Sequence, residues 1–447
     1  MEGSISSEEF TFRDKVRKFV REDLNPISLQ VETSGEIPAT LVDKMRELGL
    51  FGLSIPEKYG GLGLSTLGEI LVYEELTQTN ACYRSRIGTS NSIGSMGILF
   101  DGTTNQKQAY LPRIANGEWT AAFALTEPDA GSDAANIKCL ANLEGEHWIL
   151  NGTKQFITNG DCADVITTLA VTDEEKRARG GVTAFIIERD FPGLSVSPPD
   201  RKMGIRGSHT NELVFRNCRV PKDNVIGGNS MVGEGFKTAM RVLDKGRLTM
   251  GACALGASQK LLDDCSVRIK SLIRSGKSRD DLQAAQFSLA DMATEIFAAR
   301  RMLYDTARLR DSGKNVTQEA SMVKLFCTEM ASRIADRAMD IFGDEGYLTK
   351  SQIEMYLRDV RLYRIFEGTS EIQRMVIARN FLLDLCFLCL VFCVYVFDFL
   401  VSGVWFVGDL MCVEGHRARR IVITVNLSIR SAQRPTLLTL RTIYPDT

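Results

Sequence analysis

The chain predicts an α+β protein in which helices, a block of strands and a second set of helices follow one another. Three observations carry that order. Apolar residues recur at helical spacing through residues 6 to about 118, short β-prone runs between turn residues fill 119 to about 225, and helical periodicity returns from 232 to 381. At 447 residues the chain can bury a large core divided among two or three subdomains.

In the first block Phe12, Val16, Phe19, Val20 and Leu24 form a helical stripe that ends at Pro26. Leu41, Met45 and Leu48 repeat the pattern between Pro38 and Gly49. In the second block Trp148-Ile149-Leu150, Phe156-Ile157-Thr158, Val182-Thr183-Ala184-Phe185-Ile186-Ile187 and Glu212-Leu213-Val214-Phe215 lie between Gly, Asn and Asp turns, the mark of a small antiparallel β domain. In the third, Leu289, Met292, Ile296 and Phe297 continue a long helical period. The expected domains are 1–118, 119–225 and 226–381, with 382–447 as an atypical tail.

Residues 381–413 are rich in Phe, Leu, Val and Cys, with Asp384, Asp398 and Asp409 as their only charges. Arg417, Arg419 and Arg420 then turn the tail basic, and 381–447 holds six Arg and no Lys. Membrane contact through 385–407 is one reading, not favoured because a central Asp398 costs roughly 2.5–3.5 kcal/mol on insertion. A helical extension packed on the body or on a partner is a second. The third, and preferred, is that this stretch is not native coding sequence, since a T-rich stretch yields these residues when translated.

Composition excludes several classes. A net charge of −2 leaves no nucleic-acid footprint. The 11 Cys show no disulfide framework, and three His leave no expectation of a metal site. Cys82, Cys139, Cys162, Cys218, Cys253, Cys265 and Cys327 read as buried thiols of a reducing compartment, cytoplasmic or the mitochondrial matrix. Cys386 and Cys389 form a CxxC with no second pair and are taken as chance. Glu2, Glu8, Glu9 and Asp14 argue against a transit peptide at the start of this chain.

The segment Tyr363-Arg364-Ile365-Phe366-Glu367-Gly368-Thr369-Ser370-Glu371-Ile372-Gln373-Arg374 carries the chemistry. It places a carboxylate on a tight turn, where Gly368 relaxes the backbone and Thr369 or Ser370 can cap the next helix. Among Tyr363, Ile365 and Phe366, apolar surroundings are expected to raise the carboxyl toward a general base's working range. The segment alone also fits an ordinary glutamate at a helix start.

Phe123-Ala124-Leu125-Thr126-Glu127-Pro128-Asp129-Ala130-Gly131-Ser132-Asp133 and Lys154-Gln155-Phe156-Ile157-Thr158-Asn159-Gly160 add to this segment, as do Ile55-Pro56-Glu57-Lys58-Tyr59-Gly60-Gly61-Leu62-Gly63 and Val220-Pro221-Lys222-Asp223-Asn224-Val225. In order and spacing the five resemble the acyl-CoA dehydrogenase family, over about Glu8 to Phe381. The resemblance implies an N-terminal helical domain, a middle antiparallel β-barrel-like domain and a C-terminal four-helix bundle. It implies an FAD-dependent oxidoreductase of fatty-acid β-oxidation that converts an acyl-CoA thioester to the trans-2-enoyl-CoA. Glu367 would remove the α-proton while flavin N5 takes the β-hydride. The Glu367 N–H and a ribityl hydroxyl would steady the thioester oxygen, and Gly368 would let the chain approach the substrate.

By the same resemblance, Phe123, Leu125, Thr126, Ser132, Phe156, Ile157 and Thr158 would contact the flavin, with Ser132 also serving substrate. Thr369 and Glu371 would meet its adenosine half, Ser370 would also bind the cofactor, and Gln283 would join from a neighbouring subunit. Asp244 and Arg247 match positions near the thioester and CoA, although an i,i+3 ion pair is the alternative for them. Some relatives carry the base where Gly246 stands here, which favours Glu367. An electron-transfer flavoprotein as oxidant and a homotetramer or homodimer complete the expectation.

The chain departs from the family at the clasp that holds FAD across subunits. Leu272 and Ser275 replace its Arg and Phe, and Asp340 and Asp344 replace a Gln and a Gly, so two carboxylates would face a dianionic pyrophosphate. Arg268 or Arg274 is a candidate substitute. Two other readings follow: a dehydrogenase of acyl groups on a carrier protein, and a non-catalytic assembly protein with weakened FAD binding.

Overall fold

The structure, a computed structural model, describes residues 6–382. The tail readings, residues 385–407 and the Cys386/Cys389 pair therefore lie outside the described residues. The described residues 6–378 form one compact unit, and 379–382, which are helical, fall in a second.

Helices α1 (Ser7–Phe19), α2 (Ser28–Ser34), α3 (Ala39–Glu47), α4 (Thr66–Leu76), α5 (Cys82–Asn91), α6 (Met96–Asp101) and α7 (Thr104–Ala115) open the fold. Their starts are written locally. Ser6 and Glu9 form a reciprocal cap on α1, as Thr103 and Gln106 do on α7. The Phe12–Leu24 stripe ends in a π turn, Val20–Leu24, whose wider winding lets Phe19, Val20 and Leu24 all be buried.

Strands β1 (Ala121–Ala124), β2 (Leu140–Glu144), β3 (His147–Thr158), β4 (Val165–Val171), β5 (Val182–Glu188), β6 (Leu194–Val196) and β7 (Thr210–Pro221) make one seven-stranded sheet. Its order is β1-β4-β2-β3-β7-β6, with β5 on β4. Most pairs are antiparallel, whereas β1 and β2 run parallel to β4. Every residue of β4 is buried, which explains its unbroken run of Val, Ile, Thr, Leu and Ala.

Helices α8 (Gly235–Arg274), α9 (Gln283–Asp311), α10 (Thr317–Phe342), α11 (Asp344–Tyr347) and α12 (Ile353–Tyr363) follow. One apolar core joins α1, α3, α4 and α5 to α8, α9, α10 and α12. The two helical blocks, far apart in sequence, are thus packed as one body. Smaller cores fill the sheet and the space between it, α6 and α7. Phe297, expected in the α9 core stripe, faces outward at 63 % exposure, while Met292 and Ile296 are buried. Cys162 is exposed, and the other six described cysteines are buried as expected.

Among the described residues no helix is long and apolar enough to cross a membrane, and no group of three His, Cys, Asp or Glu is placed to hold a metal.

Candidate active site

The turn after α12 builds the site. The N–H groups of Ile365 and Phe366 donate to the Leu362 carbonyl at 2.9 and 3.2 Å, and the Ser370 N–H donates to the Arg364 carbonyl at 3.0 Å. Between them Glu367 (φ 53°) and Gly368 (φ 88°) are both left-handed. A Cβ at Gly368 would lie 2.6 Å from Gln373 Nε2, so conformation and space both call for glycine there. The Thr369 hydroxyl accepts from the Ile372 N–H at 3.3 Å and caps the next helix, with Ser370 buried just inside it. Glu371 is exposed on that helix, 3.8 Å from Arg374.

The Glu367 side chain is only 8 % exposed. Arg84 Nη2, from α5, lies 3.3 Å from Glu367 Oε1 and donates to Thr249 Oγ1 at 3.1 Å. Glu367 Oε2 has no hydrogen-bond partner, and the Glu367 N–H has none among the described residues. Room for the carboxylate comes from Gly246 on α8, where an added Cβ would stand 2.8 Å from the carboxylate carbon and closer still to Oε2.

This corrects the expected apolar surroundings. Tyr363 and Phe366 stack on each other at 6.1 Å, Ile365 is 48 % exposed, and the charged groups acting on Glu367 are Arg84, Lys324 and Arg247. The left-handed backbone turns the side chain away from its sequence neighbours and into the space between α5 and α8. Burial pushes the Lys324 ammonium down to about 8, with Glu367 opposing the shift. Arg247 pairs with Asp244 at 2.7 Å and donates to Ser321 at 3.2 Å, while Thr317 donates to Asp244 Oδ2 at 3.1 Å. The i,i+3 pair therefore exists, but with Arg247 buried in the bundle.

The two β-domain motifs meet through a buried ion pair. Lys154, fully buried, donates to Glu127 Oε1 at 2.7 Å and to the Leu125 carbonyl at 3.0 Å. The Gln155 N–H donates to the Thr126 carbonyl at 2.8 Å. Phe123, Leu125 and Ile157 are buried, Thr126 and Thr158 half-buried, and Ser132 exposed. An irregularity between Lys154 and Ile157 in the β3–β7 pairing puts Phe156 at φ 59° and leaves its ring 62 % exposed. Asn159 then ties this end of β3 to α5, donating to the Ser85 and Arg86 carbonyls at 3.3 Å and to Thr89 Oγ1 at 2.7 Å. The β motifs are thereby joined to the helix that carries Arg84.

Gln283 is exposed at the start of α9, and Ser275, Asp340 and Asp344 are exposed as well; Leu272 is half-buried. Arg268 is paired with Glu345 at 2.9 Å. No hydrogen bond joins any of these to the Glu367 turn among the described residues.

Acyl-CoA dehydrogenase N-terminal, middle and C-terminal domains match residues 6–118, 122–218 and 233–382. The chain belongs to the acyl-CoA dehydrogenase family. An acyl-CoA dehydrogenase of Bacillus subtilis (strain 168) is 38 % identical over 85 % of this chain and 99 % of its own. A chain from the electron transferring flavoprotein structure of Acidaminococcus fermentans superposes with a TM-score of 0.82 at 38 % identity, covering 86 % of this chain and all of its own. A glutaryl-coenzyme A dehydrogenase in complex with glutaryl-CoA superposes at 0.80 with 33 % identity, covering 86 % and 97 %.

FAD is the cofactor of this family, and a Bacillus anthracis acyl-CoA dehydrogenase complexed with it has a TM-score of 0.78 at 32 % identity over 85 % of this chain and 68 % of its own. The β-domain residues here fit its flavin ring, while Asp340 and Asp344 stand exposed where the clasp of the family would meet the pyrophosphate. An aromatic ring held in the open on a left-handed bulge, beside two half-buried threonines, suits a flat conjugated ligand.

Arg84, Lys324, Gln373 and the Glu127–Lys154 pair escape the sequence reading. Glu127, Lys154 and Gln373 lie inside the motifs that carry the family resemblance, and the opposite charges of the first two are a usable signal. Arg84 sits in a helix with no apolar stripe and nothing acidic nearby in sequence.

Proposed function

We propose that this acyl-CoA dehydrogenase oxidises an acyl-CoA to the trans-2-enoyl-CoA with Glu367 as base. One observation carries the reading: among the described residues, Glu367 presents an unpartnered carboxylate oxygen and an unpartnered N–H from a single left-handed residue with a buried side chain. Oε2 takes the α-proton, and the N–H donates to the thioester oxygen as charge develops there. Bound FAD supplies the acceptor for the β-hydride, so the substrate loses one proton and one hydride and gains a double bond. Phe123, Leu125, Thr126, Ser132, Phe156, Ile157 and Thr158 hold the flavin, with Thr369, Ser370 and Glu371 toward its adenosine end. Asp244, Arg247, Ser132 and Gly368 face substrate. An electron-transfer flavoprotein reoxidises the enzyme, which acts as a homo-oligomer with Gln283 serving the neighbour's FAD.

Arg84 favours a second reading of the substrate. Among the described residues the Nε of the buried Arg84 guanidinium has no hydrogen-bond partner, and a plain alkyl chain would offer it none. An acyl chain ending in a carboxylate would pair with it, and glutaryl-CoA dehydrogenase is among the structural neighbours.

Anaerobic titration of the FAD-loaded protein with butyryl-CoA, glutaryl-CoA and a butyryl-carrier protein tests both. The flavin absorbance should bleach with an acyl-CoA, and Glu367→Gln should lower the bleaching rate about 10²–10⁴-fold. An unchanged rate in Glu367→Gln refutes the base assignment. Arg84→Met should lose glutaryl-CoA selectively if the second reading holds. Bleaching by the carrier-bound substrate alone would move the substrate class, and failure to retain FAD would favour a non-catalytic protein.

A further inference from the structure

Two buried side chains that are not among the expected site residues converge on the turn that holds Glu367. Lys324, in the first third of α10 and fully buried, donates from Nζ to the Gly368 carbonyl at 2.7 Å. Gln373, also fully buried, donates from Nε2 to the same carbonyl at 2.9 Å and to the Glu367 carbonyl at 3.3 Å. Both carbonyls of the left-handed pair are thus gripped, one of them twice. Lys324 stands among the buried residues Ala320, Val323, Cys327 and Ala331, where an apolar side chain would pack without the cost of a buried charge. No carboxylate forms a salt bridge with it among the described residues; its hydrogen bond goes to this carbonyl.

A residue other than glycine rarely stays at positive φ, and Glu367 is followed directly by a second left-handed residue. Relaxation toward the right-handed region would rotate the peptide planes on either side of Gly368. It would carry the Glu367 N–H and carboxylate away from each other's present positions. Pinning the two carbonyls opposes that rotation.

We propose that Lys324 and Gln373 are positioning residues that lock the Glu367–Gly368 turn and so keep the base and its N–H in one fixed relation. The proposal rests on Glu367 being the base. Neither residue touches the reacting atoms. Their loss should appear in turnover and in the mobility of the turn, and not in substrate affinity.

The test uses the full-length, FAD-loaded enzyme with Lys324→Met and Gln373→Leu, each checked for flavin content and melting temperature. The expected result is a kcat lowered about 10–100-fold with KM within about threefold, because a misplacement near 1 Å is costly for catalysis. Amide hydrogen exchange in a peptide spanning 364–373 should become faster in both variants. Wild-type kcat with unchanged exchange would overturn the proposal, as would a rise in KM that accounts for the whole loss. If Lys324→Met does not fold, Gln373→Leu carries the test at the same carbonyl. Glu367→Gln, run alongside, separates the two readings: if it keeps turnover, the base assignment fails; if it is inactive while both other variants are normal, only the lock fails.

Discussion

Gly246 offers the sharpest test of how the site is packed. In Gly246→Ala the new Cβ would stand 2.8 Å from the Glu367 carboxylate carbon and nearer to Oε2, where real Cβ contacts below 3.0 Å are essentially never seen. Recovering an ordinary contact of 3.4 Å requires the carboxylate to move by 3.4 − 2.8, or 0.6 Å, measured from its carbon, and further because Oε2 is nearer. A displacement of about 1 Å at a reacting group can cost about 10²-fold in rate, which is about 2.7 kcal/mol of transition-state stabilisation. The fold should not suffer. The clash is with the end of a flexible side chain, and alanine in the interior of α8 should add up to about 1 kcal/mol of helix propensity over glycine. Activity and stability are therefore expected to move in opposite directions. Steady-state turnover with an artificial electron acceptor, beside a thermal melt, reads both. A Gly246→Ala enzyme with wild-type kcat/KM would refute the reasoning, because the carboxylate would then not need the space that Gly246 leaves.

Two further outcomes follow from buried charge. Lys154→Met leaves Glu127 buried with only the Lys138 and Cys139 N–H groups as donors, so it should destabilise the protein by about 3 kcal/mol and weaken FAD retention; urea denaturation and flavin content check it, and a loss well under 1 kcal/mol would refute it. Asp359, buried where α12 meets the loop 202–208, accepts from the Ile205 N–H at 2.5 Å. Burial pushes its carboxyl up to about 7, with Glu32 adding to the rise and Arg358 opposing it. Its folded value lies above its unfolded one, so the native state binds the proton more tightly. The stability this contributes is present at acid pH and is lost as pH rises toward about 7. Asp359→Asn should remove that slope and raise stability at about pH 8 by on the order of a few kcal/mol, at about 1.36 kcal/mol per unit. Parallel denaturation profiles for the two proteins between about pH 5 and 8 would count against it.

Local features of this protein were legible in its sequence. The helical stripe from Phe12 to Leu24, the strands with their β-branched runs and the Gly368-Thr369 turn-and-cap depend on contacts within a few residues, whereas Pro26 does not end the helical run as expected but sits in a 3-10 turn, Asn25–Ile27, that leads into α2. Such preferences are steric and entropic, and contiguous residues are enough to express them. The order of helical, β and helical blocks followed from the same periodicities. Phe297 shows where periodicity stops: it shares the α9 spacing with Met292 and Ile296 yet faces outward, because packing against α8 and α10 decides how wide the buried face is.

The candidate site was legible only as separate motifs. Sequence alone determined that Glu367 stands on a tight turn with glycine beside it, and the family resemblance put Gly246 where some relatives carry the base; the left-handed backbone of Glu367 is a finding of the structure. Only the tertiary structure decided what the carboxylate meets. Arg84 lies 283 positions away and reaches it only because α5 and α8 pack in one core with the segment after α12. Phe156 is exposed only because β3 and β7 fall out of register beside it, and Lys324 grips Gly368 from a helix that gives no sign of it in sequence. The electrostatics of a buried carboxylate depend on distances of a few ångströms between residues remote in sequence, and such distances exist only once the chain has folded.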